Sequence, residues 1–467
     1  MNFIKLINIL WLAPLKNSFF IFSFFIASSS SFSQSSIEET TSTKDPSNIG
    51  DGYTLENFFS AALAYNPRLK IASERFNIGT VQKNQINSQL LPQIRANANI
   101  SENSRNTNTL RQTFDGNRYS VQLTQTLFDW QAFTARKRAY LREDIAEIEY
   151  YGELASLLTD VSEKYFNALE AQDSLASIAS ELNAIENQAQ QIEQLYSLEL
   201  AQITDLYQVQ ATLAQIQSQK IQTQSQLAQE YDALLAISGL NAQDLYVLDP
   251  SVDIPKIDEN LHFWIDSAAS HNHLIQSKKL AVKESTQAIA QEKGAFLPKV
   301  SLIIQRQDSD VGFDNRPLDR SENTFFGVDV SIPLYSGGGN LAKVREAKSM
   351  EIIAVSELKQ AELEVNQLVR TAYLQAESSG VIIAAAQKLV ESTSLSSTAM
   401  QRGFDLGTVT SVEVLSALRD QYRAERELQR VRYAYIKSML LLKKEAGTLS
   451  SADLEEISGW LSPSRQN

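Results

Sequence analysis

The sequence predicts a mixed α and β membrane protein whose chain is internally duplicated, with alternating strands joined to very long helices. First, short motifs recur about 207 residues further along the 467-residue chain. Second, residues 93–249 and 334–462 contain no proline and leave room for uninterrupted helices. Repetition at this scale indicates a duplicated architecture. The recurring motifs are Leu91-Pro92 with Leu297-Pro298, Leu127-Phe128 with Leu334-Tyr335, and Thr204-Asp205 with Val412-Glu413.

The N-terminus has the pattern of a secretory signal. Lys5 and Lys16 precede an apolar run from Phe19 to Ala27, and serines follow. This run is too short to span a bilayer, which takes about 20 apolar residues. We therefore expect a signal peptide over residues 1–33 and a flexible segment over 34–52. No later segment offers about 18 uninterrupted apolar residues, so a membrane crossing would have to use β-strands.

We expect the first structural repeat over residues 53–250. Its two strands, at about 94–101 and 119–128, alternate apolar and polar residues, which gives each strand one apolar and one wet face. Two long helices follow at about 130–195 and 205–238, because apolar residues recur every three or four positions. The longer helix would measure roughly 100 Å at 1.5 Å per residue, which no ordinary globular domain needs.

The second structural repeat is expected over residues 251–447, with a C-terminal segment over 448–467. Its strands are predicted at about 299–305 and 326–334 from the same alternation, and its long helices at about 340–402 and 411–445. The apolar stripe of the long helices is narrow and heptad-like, and their remaining faces are rich in Gln, Ser and Ala. Such helices pack side by side as a thin wall with water on much of their surface.

The number of predicted strands indicates how many chains must assemble. Four strands cannot close a barrel, and open strand edges in hydrocarbon leave backbone groups without partners, so several chains must contribute. Two chains would give an eight-stranded barrel filled by side chains, whereas three would give twelve strands and room for a channel. If the protein conducts, the chain is therefore expected to form a trimer. A soluble hairpin half-buried on helices would alternate too, and the helix pattern alone also fits a rod-like coiled coil.

Composition argues against several functional classes. Lys and Arg number 42 against 55 Asp and Glu, a formal net charge of −13, which disfavours a nucleic-acid surface. The absence of cysteine excludes disulfides and thiolate nucleophiles. His262, His271 and His273 match no standard metal-ligand spacing, and no P-loop, nucleophile elbow or carboxylate pair is visible. The prediction is that the chain is not an enzyme and holds neither metal nor cofactor.

Several short motifs occur in a characteristic order. They are Asn66-Pro67-Arg68-Leu69, Leu91-Pro92-Gln93, Leu123-Thr124-Gln125 followed by Leu127-Phe128-Asp129, Ile203-Thr204-Asp205, and Ile332-Pro333-Leu334-Tyr335 with Gly337-Gly338. With this order the sequence resembles the TolC family of outer-membrane efflux and secretion channels over nearly all of its mature length. Each motif is weak singly, and the combination is specific. The missing lipid-acceptor cysteine is similar to the non-lipidated branch of that family.

The resemblance implies a function and a set of partners. It implies a homotrimeric 12-stranded β-barrel in the outer membrane of a Gram-negative bacterium, in contact with membrane lipid. The barrel would be continuous with a long α-helical coiled-coil barrel that extends into the periplasm. The trimer would be the passive exit duct of a tripartite efflux pump or a type I secretion system. Its partners would be a periplasmic adaptor protein and an inner-membrane pump or ABC exporter. The rival hypothesis is a secreted coiled-coil structural or adaptor protein that does not conduct.

The resemblance also implies a gate where the long helices turn. By motif, Thr204 and Asp205 match positions that bond to a tyrosine and an arginine of the second repeat in the best-known members. The matching positions here are Phe404 and Val409. A phenyl ring has no hydroxyl and valine carries no charge, so neither bond can form. The closed state is therefore expected to rely on other contacts or to be weaker.

The same resemblance places an acidic ring at the tip, at positions matched by Glu413 and Ser416. Three copies of Glu413 in a narrow pore would favour cations. With serine in place of the second acid, the ring would carry three charges in the trimer instead of six. The alternative is purely structural, because Thr410-x-x-Glu413 is also the pattern of a capping box that opens a helix.

Overall fold

The computed structural model describes residues 53–241, 244–311 and 317–463. The predicted signal peptide, residues 1–33, and the predicted flexible segment, residues 34–52, lie outside this part of the chain. In the described ranges, none of the helices combines the length and the apolar character that a membrane-spanning helix needs.

The first half of the chain contains two short helices, a strand pair and two long helices. Asn66 ends α1 and opens α2, since its side chain accepts hydrogen bonds from the backbone N–H groups of Arg68 and Leu69, and Pro67 occupies the first helical position. Asp129 caps α3 in the same way through Gln131. The elements are α1 (Leu55–Tyr65), α2 (Pro67–Ser88), β1 (Gln93–Asn106), β2 (Arg111–Phe128), α3 (Trp130–Ser197), α4 (Ile203–Ser238) and the short β3 (Val247–Leu248).

The second half repeats this order of elements, with one further short helix before its last strand. Asn272 separates α5 from α6 as Asn66 separates α1 from α2, with its side chain accepting from Leu274 and Ile275. The elements are α5 (Leu261–His271), α6 (His273–Gly294), β4 (Lys299–Val311), β5 (Pro317–Ser331), α7 (Gly339–Asp405), α8 (Ser411–Glu445), α9 (Ser451–Ser458) and β6 (Leu461–Ser462).

The strands form an antiparallel sheet with the order β1-β2-β4-β5 in the described part of the chain. The register places Ile94 opposite Leu123, Leu123 opposite Ile304, and Ile304 opposite Phe326. One row of apolar side chains therefore crosses all these strands on a single face. Ile94 and Phe326 are 69% and 71% exposed, so this apolar face is uncovered in the single chain.

The strands are longer than the alternation predicted. β1 and β2 contain 14 and 18 residues, and β1 continues beyond the predicted end near residue 101 to Asn106. Apart from Phe114, the additional residues of both strands are polar or glycine, as in Glu102 paired with Asp115. Alternation reveals only the part of a strand that has one apolar face, while the backbone hydrogen bonds continue the ladder into the polar hairpin.

The long helices form a wall. Near the strands, α3 packs between α2 and α6, and α7 packs against α6; farther away, α3 packs between α4 and α8, and α7 packs against α8. The main core lies where α1, α9 and the β3–β6 pair cover one face of this wall. The Phe58 ring meets Tyr165 edge-on at 5.7 Å, and the Tyr165 hydroxyl donates to the Tyr246 carbonyl oxygen at 2.8 Å. Burial of these rings fixes α1 to the wall.

Candidate functional site

The two turns that join the long helices form the candidate site. The α3–α4 turn reverses through Glu199, which has a φ of 59°, and the Leu200 N–H donates to the Leu195 carbonyl at 2.8 Å. The α7–α8 turn reverses through Gly407, with a φ of 72°, and the Thr408 N–H donates to Gly403 at 2.9 Å. Glycine adopts this left-handed conformation without the cost of about 1 kcal/mol or more that a side chain brings.

Phe404 lies against an apolar cluster shared by both helix pairs, which we call the tip cluster. Its members come from α3, α4 and α8, and the Phe404 ring packs on them from the end of α7. This ring therefore joins the α7–α8 pair to the α3–α4 pair within one chain. The cluster consists of Ile178, Leu182, Ile185, Ile192, Val209, Ile216 and Leu415, with Ala189, Leu206, Leu213 and Phe404 partly buried around it.

Val409 packs inside its own turn. A Cβ atom added to Gly403 would come within 2.5 Å of a Val409 methyl carbon, so the glycine permits this close contact. Val409 is half-buried there. The packing keeps the α7–α8 turn compact without a charged side chain.

Thr204 and Asp205 lie in the first turn of α4. The Thr204 hydroxyl donates to the Gln202 side-chain oxygen at 3.3 Å, and Asp205 is the acidic residue of this first turn. Among the described residues, no hydrogen bond joins either side chain to α7 or α8. The structure thus brings Phe404 to the neighbouring helix pair, while Thr204 and Asp205 remain with their own.

Glu413 forms the capping box of α8. Its carboxylate accepts from the Thr410 backbone N–H and from the Thr410 hydroxyl, each at 2.8 Å, and the Glu413 N–H donates to the Thr410 hydroxyl oxygen at 3.4 Å. The hydrogen bonds from the Thr410 backbone and side chain lower the pKa of Glu413 below its usual range. Glu413 is exposed, whereas Ser416, one turn later, is half-buried and accepts from Arg419 at 3.5 Å.

A polar seam between α3 and α8 was missed by reasoning from the sequence. The Arg426 guanidinium meets the buried Glu181 carboxylate at 2.6 Å, and the Tyr433 hydroxyl donates to Asp173 at 2.6 Å. Burial raises the pKa of Asp173. The partners are about 250 residues apart in the chain, so no local pattern marks them. The seam comprises Glu170, Asp173 and Glu181 on α3 with Arg426, Tyr433 and Lys437 on α8.

A sheet with an uncovered apolar face, joined to a wall of very long helices with turns at its far end, defines an outer-membrane channel of the efflux and secretion type. The family model described as "Outer membrane efflux protein" matches residues 58–240 and 264–448. The chain belongs to the outer membrane efflux protein family. The predictions of this family, of an outer-membrane location and of an efflux or secretion channel are confirmed.

Curated relatives cover most of the chain. It is 26% identical to "Outer membrane protein TolC" of Vibrio cholerae, over 87% of this chain and 93% of that protein. The corresponding Escherichia coli protein is also 26% identical, over 89% of this chain and 86% of its own. "Alkaline protease secretion protein AprF" of Pseudomonas aeruginosa is 26% identical, over 87% and 86%. "Outer membrane efflux protein BepC" of Brucella suis is 23% identical, over 84% of this chain and 85% of its own, so both efflux and secretion names occur among the similar proteins.

Solved structures share the fold. The CmeC outer membrane channel of Campylobacter jejuni superposes with a TM-score of 0.74 at 16% identity, over 87% of this chain and 90% of that one. The MtrE outer membrane channel of Neisseria gonorrhoeae, described as an open state, gives 0.71 at 17% identity, over 86% and 92%. The combination of an antiparallel sheet and long helices is therefore that of the channel proteins.

Proposed function

We propose that three copies of this chain form a passive duct through the outer membrane, made of a 12-stranded β-barrel continuous with a tunnel of long helices. The observation that carries this proposal is the sheet with open edges. The outer edges of β1 and β5 pair with no other described strand. In hydrocarbon, open edges would leave backbone groups without partners, and pairing β5 of one copy with β1 of the next closes the sheet.

The long helices support the same assembly. On α7, five exposed apolar side chains lie on one side of the helix, because their separations of 11, 11, 7 and 14 residues are close to whole numbers of turns. We call them the α7 stripe. A second chain packed on this edge of the wall would bury the stripe. It consists of Ile352, Leu363, Leu374, Val381 and Leu395, which are between 52% and 70% exposed.

The division of the chain follows from this proposal. We attribute the repeated order of elements to duplication, with residues 53–250 and 251–447 as the two structural repeats and 448–467 as the C-terminal segment. Each repeat would supply two barrel strands and two tunnel helices. The repeated match of the family model to residues 58–240 and 264–448 supports this division. Residues 1–33 would be the signal peptide.

The duct would receive its substrate from partners. We infer a periplasmic adaptor protein and an inner-membrane pump or ABC exporter, because the similar proteins include efflux and secretion components. We assign no catalysed reaction and no cofactor to this chain. Energy would come from the inner-membrane partner.

The tip of the helical tunnel would be the gate. In this proposal Phe404 and Val409 hold the tip by apolar packing, Thr204 and Asp205 begin the neighbouring helix, and Glu413 supplies a ring of carboxylates. Ser416 would leave the ring without a second acid. The exposed position of Glu413 and the packing of Phe404 on the tip cluster support these roles.

The test combines single-channel conductance in planar bilayers with native mass spectrometry of the same detergent-purified preparation. We expect the mass of three chains and discrete, cation-preferring openings. Well-folded protein that stays soluble without detergent and never inserts would contradict the duct and favour the non-conducting coiled-coil protein instead.

A further inference from the structure

We propose that a recess on the outer face of the helical wall, just beneath the strands, binds the headgroup of an anionic phospholipid from the inner leaflet of the outer membrane. This inference rests on the proposed placement of the strands in that membrane. The recess lies between α3 and α6 and has a volume of about 700 Å³. It is lined by Phe133, Arg136, Lys137, Tyr140 and Leu141 of α3 and by Lys283 and Gln287 of α6.

The lining residues combine cations with aromatic and apolar surface. Arg136, Lys137 and Lys283 are exposed, and none of the three has a carboxylate partner among the described residues. The Arg136 guanidinium lies 5.6 Å from the centre of the Tyr140 ring, which holds it at the rim. No aspartate or glutamate lines the recess. The site is therefore complementary to an anion that also carries apolar groups.

Neighbouring cations on the wall are neutralised, in contrast to these three. Arg138 and Arg142 both bind the Glu284 carboxylate at 2.8 Å, and Lys83 binds Glu143 at 2.6 Å. Those pairs tie α3 to α6 and to α2. They serve the packing of the wall, so their charge is not available to a ligand as that of the recess cations is.

The recess faces away from the tunnel. Tyr140 precedes Tyr165 by 25 residues, about seven helical turns, so both rings lie on the same side of α3. Tyr165 packs on Phe58 of α1, which belongs to the extra layer that covers one face of the wall. Three copies of that layer would fill a tunnel, so the layer and the recess belong to the outside. The recess also lies in the middle of the wall, away from the edges that the proposed trimer would pair.

The depth of the recess matches the membrane surface. β2 ends at Phe128, and Arg136 and Lys137 lie only about 9 to 11 Å along α3 from its first residue, Trp130. Helical side chains lean toward the N-terminus of their helix, which here points to the strands. The two long side chains therefore reach toward the headgroups of lipids that surround the strand ends. Phe133, which meets Phe128 edge-on at 5.9 Å, would face the acyl boundary.

The charge of the surrounding wall supports a lipid over a soluble anion. The helix segments next to the strands contain ten Lys and Arg against five Asp and Glu, counted over residues 81–88, 130–144, 283–294 and 339–349. The whole chain, in contrast, has a net charge of −13. A positive band at this depth attracts an anionic membrane surface, with each cation contributing about 1 kcal/mol near that surface.

The test is a lipid titration of the delipidated trimer, followed by native mass spectrometry. Phosphatidylglycerol, phosphatidylcholine and inorganic phosphate are the probes. We expect up to one phosphatidylglycerol per chain and much weaker binding of phosphatidylcholine. In the triple variant Arg136→Gln, Lys137→Gln, Lys283→Gln, phosphatidylglycerol should bind about a hundredfold more weakly.

A charge-matched control removes three exposed cations elsewhere, with Lys359→Gln, Lys388→Gln and Arg423→Gln, and should bind phosphatidylglycerol as the wild type does. The recess variant should conduct normally, because the recess lies outside the tunnel. Equal binding of the two lipids, displacement of lipid by millimolar phosphate, or unchanged binding in the recess variant would each overturn the lipid site. Wild-type protein that does not insert would instead overturn the duct, and this site with it.

Discussion

Glu413 combines a structural and an electrostatic role that different substitutions can separate. Its carboxylate accepts two hydrogen bonds from Thr410 at the start of α8. Glu413→Gln keeps an acceptor for the cap and removes the charge, whereas Glu413→Ala removes both. If the ring of carboxylates sets selectivity, both variants should lose cation preference, measured as the reversal potential in a salt gradient. Unchanged selectivity in Glu413→Gln would leave Glu413 as a cap alone.

The same ring predicts a pH dependence. The Thr410 hydrogen bonds lower the pKa of Glu413, so its carboxylate stays ionised at a pH where an ordinary glutamate, with a pKa of about 4.3, is half protonated. Cation preference should therefore persist as the pH falls through that range and disappear only below it. The contribution of the capping box to stability depends on pH in the same direction. It is fully present above the ordinary glutamate pKa and is lost as the pH falls through the lowered pKa of Glu413. A Thr410→Val variant should lose selectivity at a higher pH than the wild type.

Phe404 is predicted to hold the tip closed by apolar packing. Phe404→Ala removes the ring from the tip cluster, at a cost of about 3 kcal/mol or more for a fully buried ring and less for this partly buried one. We expect more frequent spontaneous openings in planar bilayers. Phe404→Tyr is the matched control, since it keeps the ring. Equal leakiness of the alanine variant and the wild type would contradict a closing role.

The complementary experiment introduces polar side chains that could bond across the two helix pairs at the tip. If a tyrosine and an arginine at these positions, which the family resemblance implies, strengthen closure, the double variant Phe404→Tyr, Val409→Arg should open spontaneously less often than the wild type. The Val409 side chain already packs on Gly403, so the arginine must leave that contact to reach α4. Equal conductance would mean that the apolar contacts close the tip sufficiently.

Single residues of the site were predictable only in part. The Thr410 and Glu413 spacing indicates a capping box because the pattern is local, and the structure has that box. The packing of Phe404 could not be predicted, because it depends on how the end of α7 lies against the α3–α4 pair in the folded chain. A residue that departs from the family pattern, such as Phe404, shows which hydrogen bond is missing. The sequence does not show which contact takes the place of that bond.

At the level of elements, the α3–α8 seam ties the two helix pairs through buried charge. Glu181 is fully buried, its second oxygen, Oε1, has no described partner, and Arg426 binds the other at 2.6 Å. Arg426→Met would leave a buried carboxylate unpaired, which costs about 3 to 5 kcal/mol. We expect a lower midpoint for thermal unfolding of the detergent-solubilised protein, followed by circular dichroism.

The double variant Glu181→Leu, Arg426→Met is the control for this pair. Apolar side chains of similar size often replace a buried ion pair without loss of stability, so the double variant should regain most of the midpoint. A double variant as unstable as Arg426→Met would show that packing, and not the unpaired charge, causes the loss.

Elements differ in how well the sequence predicts them. Proline-free stretches and apolar spacing locate the long helices, since a helix needs a continuous ladder and one apolar side. The same rules miss the polar ends of β1 and β2, where both faces are wet and pairing depends on the partner strand. They also miss the seam, because its partners meet only after the chain has traversed a second repeat.

For the whole molecule, the sequence predicts an assembly of several chains. In the structure of one chain, the evidence for that assembly is the apolar surface that the chain leaves exposed. Four alternating segments led to the expectation of a shared barrel, and the exposed apolar row from Ile94 to Phe326 agrees with a lipid-facing sheet. The periodicity of α7 could not show which of its sides contacts a second chain, because a long helix that packs on both sides has two apolar stripes. In the structure one stripe is buried within the chain and the other is exposed, and the exposed stripe is the candidate interface.

The α7 stripe gives the sharpest test of the trimer. Leu363→Lys with Leu374→Lys would place two charges where each leucine would otherwise contribute about 2 kcal/mol on burial. We expect single chains by native mass spectrometry with unchanged helical content by circular dichroism. Thr371→Lys with Gln375→Lys adds the same charges to exposed positions about 100° around the helix and should leave the trimer intact. A trimer that survives the stripe variant would show that the α7 stripe is not needed for assembly and that another surface, such as the paired barrel edges, holds the chains together.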